Sequence, residues 1–176
     1  MEKNILITGE PRSGKSTLFE KVLDKTPNKR GFHTREVRRD GLERTGFQVV
    51  TDDGWTVPLA NIYLSTPYRV SRYGVNVSGF KKIIEPLFLY DEDKLLYIDE
   101  IGEMELLSNR FQELVTEYLN AENPFLGTIS KVYSNDFTEE IKRRDDVTLI
   151  ELTQGNIDKV YRRVLNELRE FIPRLE

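Results

Sequence analysis

Apolar and polar residues fall along this chain in blocks whose period changes from one block to the next. Asn4 to Thr8 holds the apolar run Ile5, Leu6, Ile7 and ends at Gly9. From Lys15 onward the apolar positions are Leu18, Phe19, Val22 and Leu23, the spacing of one helix face, so the segment predicts strand, loop, helix. Gly31 to Arg39, Arg44 to Thr51 and Trp55 to Ala60 read as strands separated by the turn signals Asp40-Gly41 and Asp52-Asp53-Gly54, which predicts an antiparallel meander over residues 31–60. Ser78 to Leu89 has a helical pattern interrupted by Pro86, and Lys94 to Ile98 is a β-rich apolar run followed by Asp99 and Glu100. Ser108 is placed to cap a helix whose inward face is Phe111, Leu114, Val115, Tyr118 and Leu119, and Pro124 marks the exit to a strand at Phe125 to Ile129. A short helix at Phe137 to Arg144, a strand at Val147 to Leu152 and a closing helix continue the alternation. The apolar face of that last helix runs Ile157, Val160, Tyr161, Val164, Leu165, Leu168, Phe171, Ile172. The alternation predicts an α/β fold, a mostly parallel sheet flanked by helices with the meander as an antiparallel extension.

Length and composition narrow this picture. A chain of 176 residues suits one core, so a single domain over 1–176 is expected. With 38% hydrophobic and 32% charged residues and no 18-residue apolar span, a membrane protein is not expected. The N-terminus lacks the apolar core of a secretory signal and the chain has no Cys, so a cytoplasmic location is expected and disulfides, thiolate nucleophiles and Cys-ligated zinc are excluded. His33 is the only histidine. A serine–histidine triad would need a second copy of the chain, and a general base at neutral pH is to be sought among the carboxylates. The net charge of -4 gives no overall pull toward nucleic acid or anionic lipid, in spite of basic clusters at Arg38-Arg39, Lys142-Arg143-Arg144 and Arg162-Arg163. A monomer without a nucleic-acid partner is the favoured reading.

The chemistry concentrates in two segments. Gly9-Glu10-Pro11-Arg12-Ser13-Gly14-Lys15-Ser16 matches G-x-x-x-x-G-K-[ST], in which glycines let backbone N–H groups surround phosphate oxygens at a helix N-terminus. Lys15 would reach the β- and γ-phosphates, and Ser16 would offer its hydroxyl to magnesium. The second segment, Leu95-Leu96-Tyr97-Ile98-Asp99-Glu100, is an apolar strand ending in two carboxylates, the form of a Walker-B strand. There Asp99 would hold magnesium and Glu100 would polarise the attacking water. The nucleotide-binding set expected is therefore Gly9 to Ser16 with Thr17, and Leu95 to Glu100 with Ile101 and Gly102. Lys15 and Glu100 are its catalytic members, and Ser16 and Asp99 its metal ligands.

With these segments in place, the sequence resembles the P-loop nucleoside-triphosphatase family first described from thermophiles, which has a human cancer-related member. Besides the phosphate loop, the resemblance rests on Gly31 to Arg38, Arg44 to Phe47, Tyr73 to Val77, Asp99-Glu100-Ile101-Gly102-Glu103-Met104-Glu105-Leu106, Gly127-Thr128-Ile129 and Glu139-Glu140-Ile141 followed by basic residues. It implies a RecA-like P-loop fold and magnesium-dependent hydrolysis of several triphosphates, ATP, GTP, CTP and UTP among them, with little choice of base. The chain departs from the family pattern at Glu103, where Lys is common, and at Arg12-Ser13, where small residues are usual.

Further residues carry two readings each. Arg12 either contacts a phosphate or points outward. Glu36 and Arg38 support the site or form an ion pair within the meander. Thr128 or Ser130 could sense the γ-phosphate, and Lys131, Arg143 or Arg144 could clamp the transition state. Tyr73 and Asn76 either face the nucleotide or build a structural loop, Trp55 marks a hairpin tip or packs in the core rather than stacking on a base, and His33 reads as a strand residue rather than a catalyst. Hydrolysis competes with two other functions: a nucleoside or nucleotide kinase with Arg143-Arg144 in a closing lid, and a nucleotide-gated binding module whose meander carries the partner. In the hydrolase reading the strand at Phe125 to Ile129 lies between the strands that end at Gly9 and Asp99.

Overall fold

The computed structural model describes residues 2–172 and Leu175. In chain order its elements are β1 (Asn4–Thr8), α1 (Lys15–Asp24), β2 (Lys29–Arg39), β3 (Glu43–Thr51), β4 (Thr56–Asn61), β5 (Arg69–Val70), β6 (Tyr73–Val75), α2 (Val77–Ile84), β7 (Leu95–Ile101), α3 (Asn109–Asn120), β8 (Phe125–Ile129), α4 (Asp136–Lys142), β9 (Val147–Glu151) and α5 (Ile157–Arg169). The strands form a nine-stranded sheet in the order β5-β6-β4-β3-β2-β7-β8-β1-β9. β2, β7, β8, β1 and β9 pair in parallel, while β3, β4, β5 and β6 continue the sheet antiparallel from β2. β8 lies between β1 and β7, as the hydrolase reading requires.

The period of two in each buried strand divides the core between the faces of the sheet. In β7, Leu96 and Ile98 join the cluster under α2 and α3, whereas Leu95 and Tyr97 face α1 and α5. Leu6 and its neighbours Ile5 and Ile7 divide in the same way across β1. Near-continuous apolar runs in β1, β7 and β8 follow from this burial on both sides. Among the described residues no helix is long and apolar enough to cross a membrane.

Several boundaries differ from the sequence reading. The helix expected over Ser78 to Leu89 stops at Ile84, and Pro86 sits in a 3-10 turn over Glu85–Phe88. Proline lacks the N–H that an α-helix interior would use and clashes with the preceding turn. β7 runs to Ile101, so Asp99 and Glu100 lie within a strand rather than beyond it. α4 ends at Lys142, and α5 ends at Arg169, leaving Phe171 and Ile172 outside the helix. β5 and β6 were not expected. Tyr73 is buried in β6, and Asn76 caps α2 by accepting from the Gly79 N–H at 3.2 Å and donates to the Pro58 carbonyl at 2.8 Å. Both are structural. Trp55 is the exposed tip of the β3–β4 hairpin.

Candidate active site at the phosphate loop

The loop from Gly9 to Gly14 turns the chain from the carboxyl end of β1 into α1. Gly14 takes φ +97°, a left-handed conformation that costs an L side chain, and Arg12 takes φ +66°. The first N–H groups of α1 have no partner within the helix, and they open toward the loop. Lys15 Nζ folds over it, donating to the Gly9 carbonyl at 2.7 Å and the Glu10 carbonyl at 3.4 Å. Ser13 Oγ is buried with no hydrogen-bond partner among the described residues. The loop walls a cavity of about 590 Å³, and Glu36, Arg44, Glu100, Ser130 and Lys131 line its other side.

Parallel pairing with β8 brings β7 to the same edge. Asp99, only 2% exposed, accepts from Ser16 Oγ at 3.2 Å and from Thr128 Oγ1 at 2.6 Å. Burial pushes its carboxyl up to about 6, although these two hydroxyls oppose the shift. Glu100 is pushed up to about 7, first by burial and then by the Asp99 charge, with Lys15 pulling the other way. The spacing of Ser16 Oγ and Asp99 Oδ2 suits adjacent ligands of an octahedral ion with bonds of about 2.1 Å, whose neighbouring oxygens lie about 3 Å apart. The described residues contain no cluster of three or more His, Cys or acidic ligands, so water and substrate oxygens would complete such a shell.

The structure sorts the sequence candidates. Gly9, Pro11 to Thr17 and Glu100 line the cavity, and Asp99 and Gly102 sit beside Glu100. Glu10 is at the rim, paired at 3.1 Å with Lys131, which also holds Glu151 at 2.6 Å. Leu95, Leu96, Tyr97, Ile98 and Ile101 are core residues, at most 2% exposed, and do not line the phosphate-loop cavity. Thr128 reaches Asp99 rather than the open cavity. Glu36 fills both of its readings: it pairs with Arg38 at 2.7 Å and Arg44 at 3.1 Å, and it lines the cavity. Burial favours its neutral form, yet the two guanidiniums prevail and hold its carboxyl below the usual range. His33 is held below the usual imidazole range, chiefly by burial.

Arg143 and Arg144 stand at the wrong edge of the sheet. α4 runs back against the strands, so its C-terminal end leads into Val147, which pairs with Asn4 at the start of β1. The phosphate loop begins at the other end of β1, about 13 Å away. Arg144 is bound there to Asp146 at 2.7 Å and Asn120 at 2.9 Å. Besides Arg12 of the loop, the guanidinium lining the cavity is that of Arg44, which the sequence reading did not offer as a clamp. It donates to Glu36 Oε1 at 3.1 Å and Tyr73 Oη at 3.0 Å and lies 5.1 Å from the Phe47 ring centroid. Its signal was the spacing of two strands in a hairpin, where Arg38 stands opposite Arg44. Sequence reading also missed Glu105, a 6% exposed carboxyl beside Glu100.

The chain is similar to known proteins over most of its length. The family model described as NTPase matches residues 4–165. The chain is 41% identical to nucleoside-triphosphatase THEP1 of Thermotoga sp. (strain RQ2), covering 94% of this chain and 95% of the relative. It is 33% identical to the human cancer-related nucleoside-triphosphatase, over 89% and 91% of the two chains. The crystal structure of THEP1 from the hyperthermophile Aquifex aeolicus superposes with a TM-score of 0.82 at 35% identity, covering 93% of this chain and 97% of that one.

Proposed function

Since this chain belongs to the NTPase family, we propose that it hydrolyses nucleoside triphosphates to the diphosphate and phosphate in the cavity of its phosphate loop, with magnesium and little selectivity for the base. ATP, GTP, CTP and UTP are all substrates in this reading, which takes residues 1–176 as one domain acting as a cytoplasmic monomer. The observation that carries it is the meeting of Ser16 and Asp99 at the mouth of the loop, with Glu100 lining the same cavity as Lys15. The orphaned Ser13 hydroxyl and the free N–H groups of α1 fit phosphate oxygens. Ser16 and Asp99 would hold the magnesium, which would supply charge neutralisation at the terminal phosphates.

The chain's own groups do the rest. The loop N–H groups and the Lys15 ammonium bind the β- and γ-phosphates, and Thr128 fixes the Asp99 carboxylate. Glu100 orients a water and takes its proton as the water oxygen bonds to the terminal phosphorus, while the bridging bond to the β-phosphate breaks and the diphosphate leaves. The direct test follows phosphate release from each triphosphate with magnesium, in the parent and in Lys15→Ala. Release from several bases in the parent and its loss in the variant support the reading, and undiminished turnover in Lys15→Ala removes the loop from the mechanism.

One observation keeps a second reading open. A cavity of about 480 Å³, lined by Ser16, Asp99 and Glu100 together with Phe47, Leu59 and Met104, adjoins the phosphate-loop cavity, and a nucleoside-sized acceptor fits that volume. Adding nucleosides to the same assay, and measuring transfer against phosphate release, separates a kinase from a hydrolase.

A further inference from the structure

Glu105 opens the 3-10 turn Glu105–Leu107 that follows β7, and its carboxyl is turned inward, 6% exposed. A Cβ added to Gly102 would lie 2.9 Å from Glu100 Oε1 and 2.9 Å from Glu105 Oε2. The two carboxyl groups therefore flank one point and are separated by no more than twice that distance. Besides Glu105, the ionised or ionisable groups around the shared cavity are Glu20 of α1, Arg35 and Glu36 of β2, Asp99 and Glu100 of β7, Glu103 of the turn, and Tyr133. Around Glu105 itself the dominant charges are Glu100 and Asp99, both negative; backbone N–H groups at Glu105 and Gly102 offset them only in part, and its carboxyl is raised well above the ordinary range, first by burial.

Two carboxylates this close and this dry do not both stay charged, and the proton settles on the one with less water and no cation. Glu100 is the less buried of the two and lines the phosphate-loop cavity with Lys15, whereas Glu105 is pressed into the turn. We propose that Glu105 is a positioning residue working as a neutral carboxylic acid, whose O–H, directly or through one water, holds the Glu100 carboxylate toward the attacking water. This rests on the assignment of Glu100 as the base. A neutral donor fixes the orientation of Glu100 without adding a third negative charge beside an incoming triphosphate. It also accounts for glycine at position 102, since any side chain there would part the two groups.

The test compares Glu105→Met, which keeps the packing and removes the donor, with Glu105→Gln, which keeps a neutral donor, at saturating triphosphate and magnesium. The expected result is a kcat lower by about tenfold or more in Glu105→Met with KM within about twofold, and a kcat restored to within about threefold of the parent in Glu105→Gln. The infrared spectrum of the parent at about pH 8 should also show a protonated-carboxyl band that Glu105→Gln lacks, a readout that stands even if Glu105→Met folds poorly. Parental kcat in Glu105→Met, or a Glu105→Gln enzyme as impaired as Glu105→Met with no such band in the parent, overturns the proposal. Glu100→Gln, run alongside, separates the two assignments. If it turns over normally, the base assignment fails and takes this one with it; if it collapses while Glu105→Met is unaffected, only Glu105 is excluded.

Discussion

Asp99 and Glu100 are neighbours in sequence and line one cavity, but their carboxyls meet different partners. Asp99 is tied by the hydroxyls of Ser16 and Thr128, while Glu100 faces the phosphate-loop cavity. That division suits metal binding for the first and proton removal for the second. Glu100→Gln should leave nucleotide affinity in place and lower turnover by roughly 10²- to 10⁴-fold. A loss under about tenfold with unchanged affinity would exclude Glu100 and make Glu36 the next carboxylate to test. The base works only when ionised, so kcat/KM, which reports the free enzyme, should fall as pH drops through about 7. A divalent ion beside Asp99 favours the charged form of Glu100, so the acid limb of kcat should lie at lower pH than that of kcat/KM. Coincident limbs would contradict this.

At the scale of elements, β8 is the strand that assembles the site, because its place between β1 and β7 sets the separation of the phosphate loop from Asp99 and delivers Thr128 to it. Thr128→Val keeps the shape of the side chain and removes the donor. The magnesium concentration for half-maximal activity should rise by about tenfold or more, the usual cost of losing a partner that orients a metal ligand. A magnesium titration superimposable on that of the parent would refute the role. The strand–loop–helix at residues 4–24 was legible in the sequence because phosphate binding demands glycines and a helix start at fixed offsets. β5 and β6 were not legible, since strands of two and three residues are too short to show a period. Glu105 was equally hidden, because an acidic residue in a turn reads as a solvent-facing one and only the packing of the turn on β7 buries it. Arg143-Arg144 misled in the opposite sense: a basic pair after a helix looks like a lid until the direction of α4 places it at the far edge.

For the whole molecule, Asp99, Glu100 and Glu105 gather three carboxyls whose folded values all exceed the ordinary carboxylate range. The stability they contribute is fully present below about pH 4 and is lost as pH rises through their folded values, about 6 for Asp99 and about 7 for Glu100, because the unfolded chain releases those protons more readily. Glu105→Gln removes one such group, so its melting temperature should exceed that of the parent at about pH 8, and the gap should close toward about pH 4. Equal melting curves at the alkaline end would show that Glu105 takes no proton on folding. The sheet order also has a consequence in time. Both partners of β1, β8 and β9, lie in the last third of the chain, whereas β2, β3 and β4 are joined by short hairpins. Non-local pairings carry the greater loop-closure cost and form late. During synthesis the meander can therefore be complete while the segment that will cradle phosphate still waits for residues 125–151 to emerge. Pulsed hydrogen exchange during refolding should find the amides of β2 and β3 protected before those of β1, so that nucleotide has no binding site to engage until β8 and β9 have paired with β1.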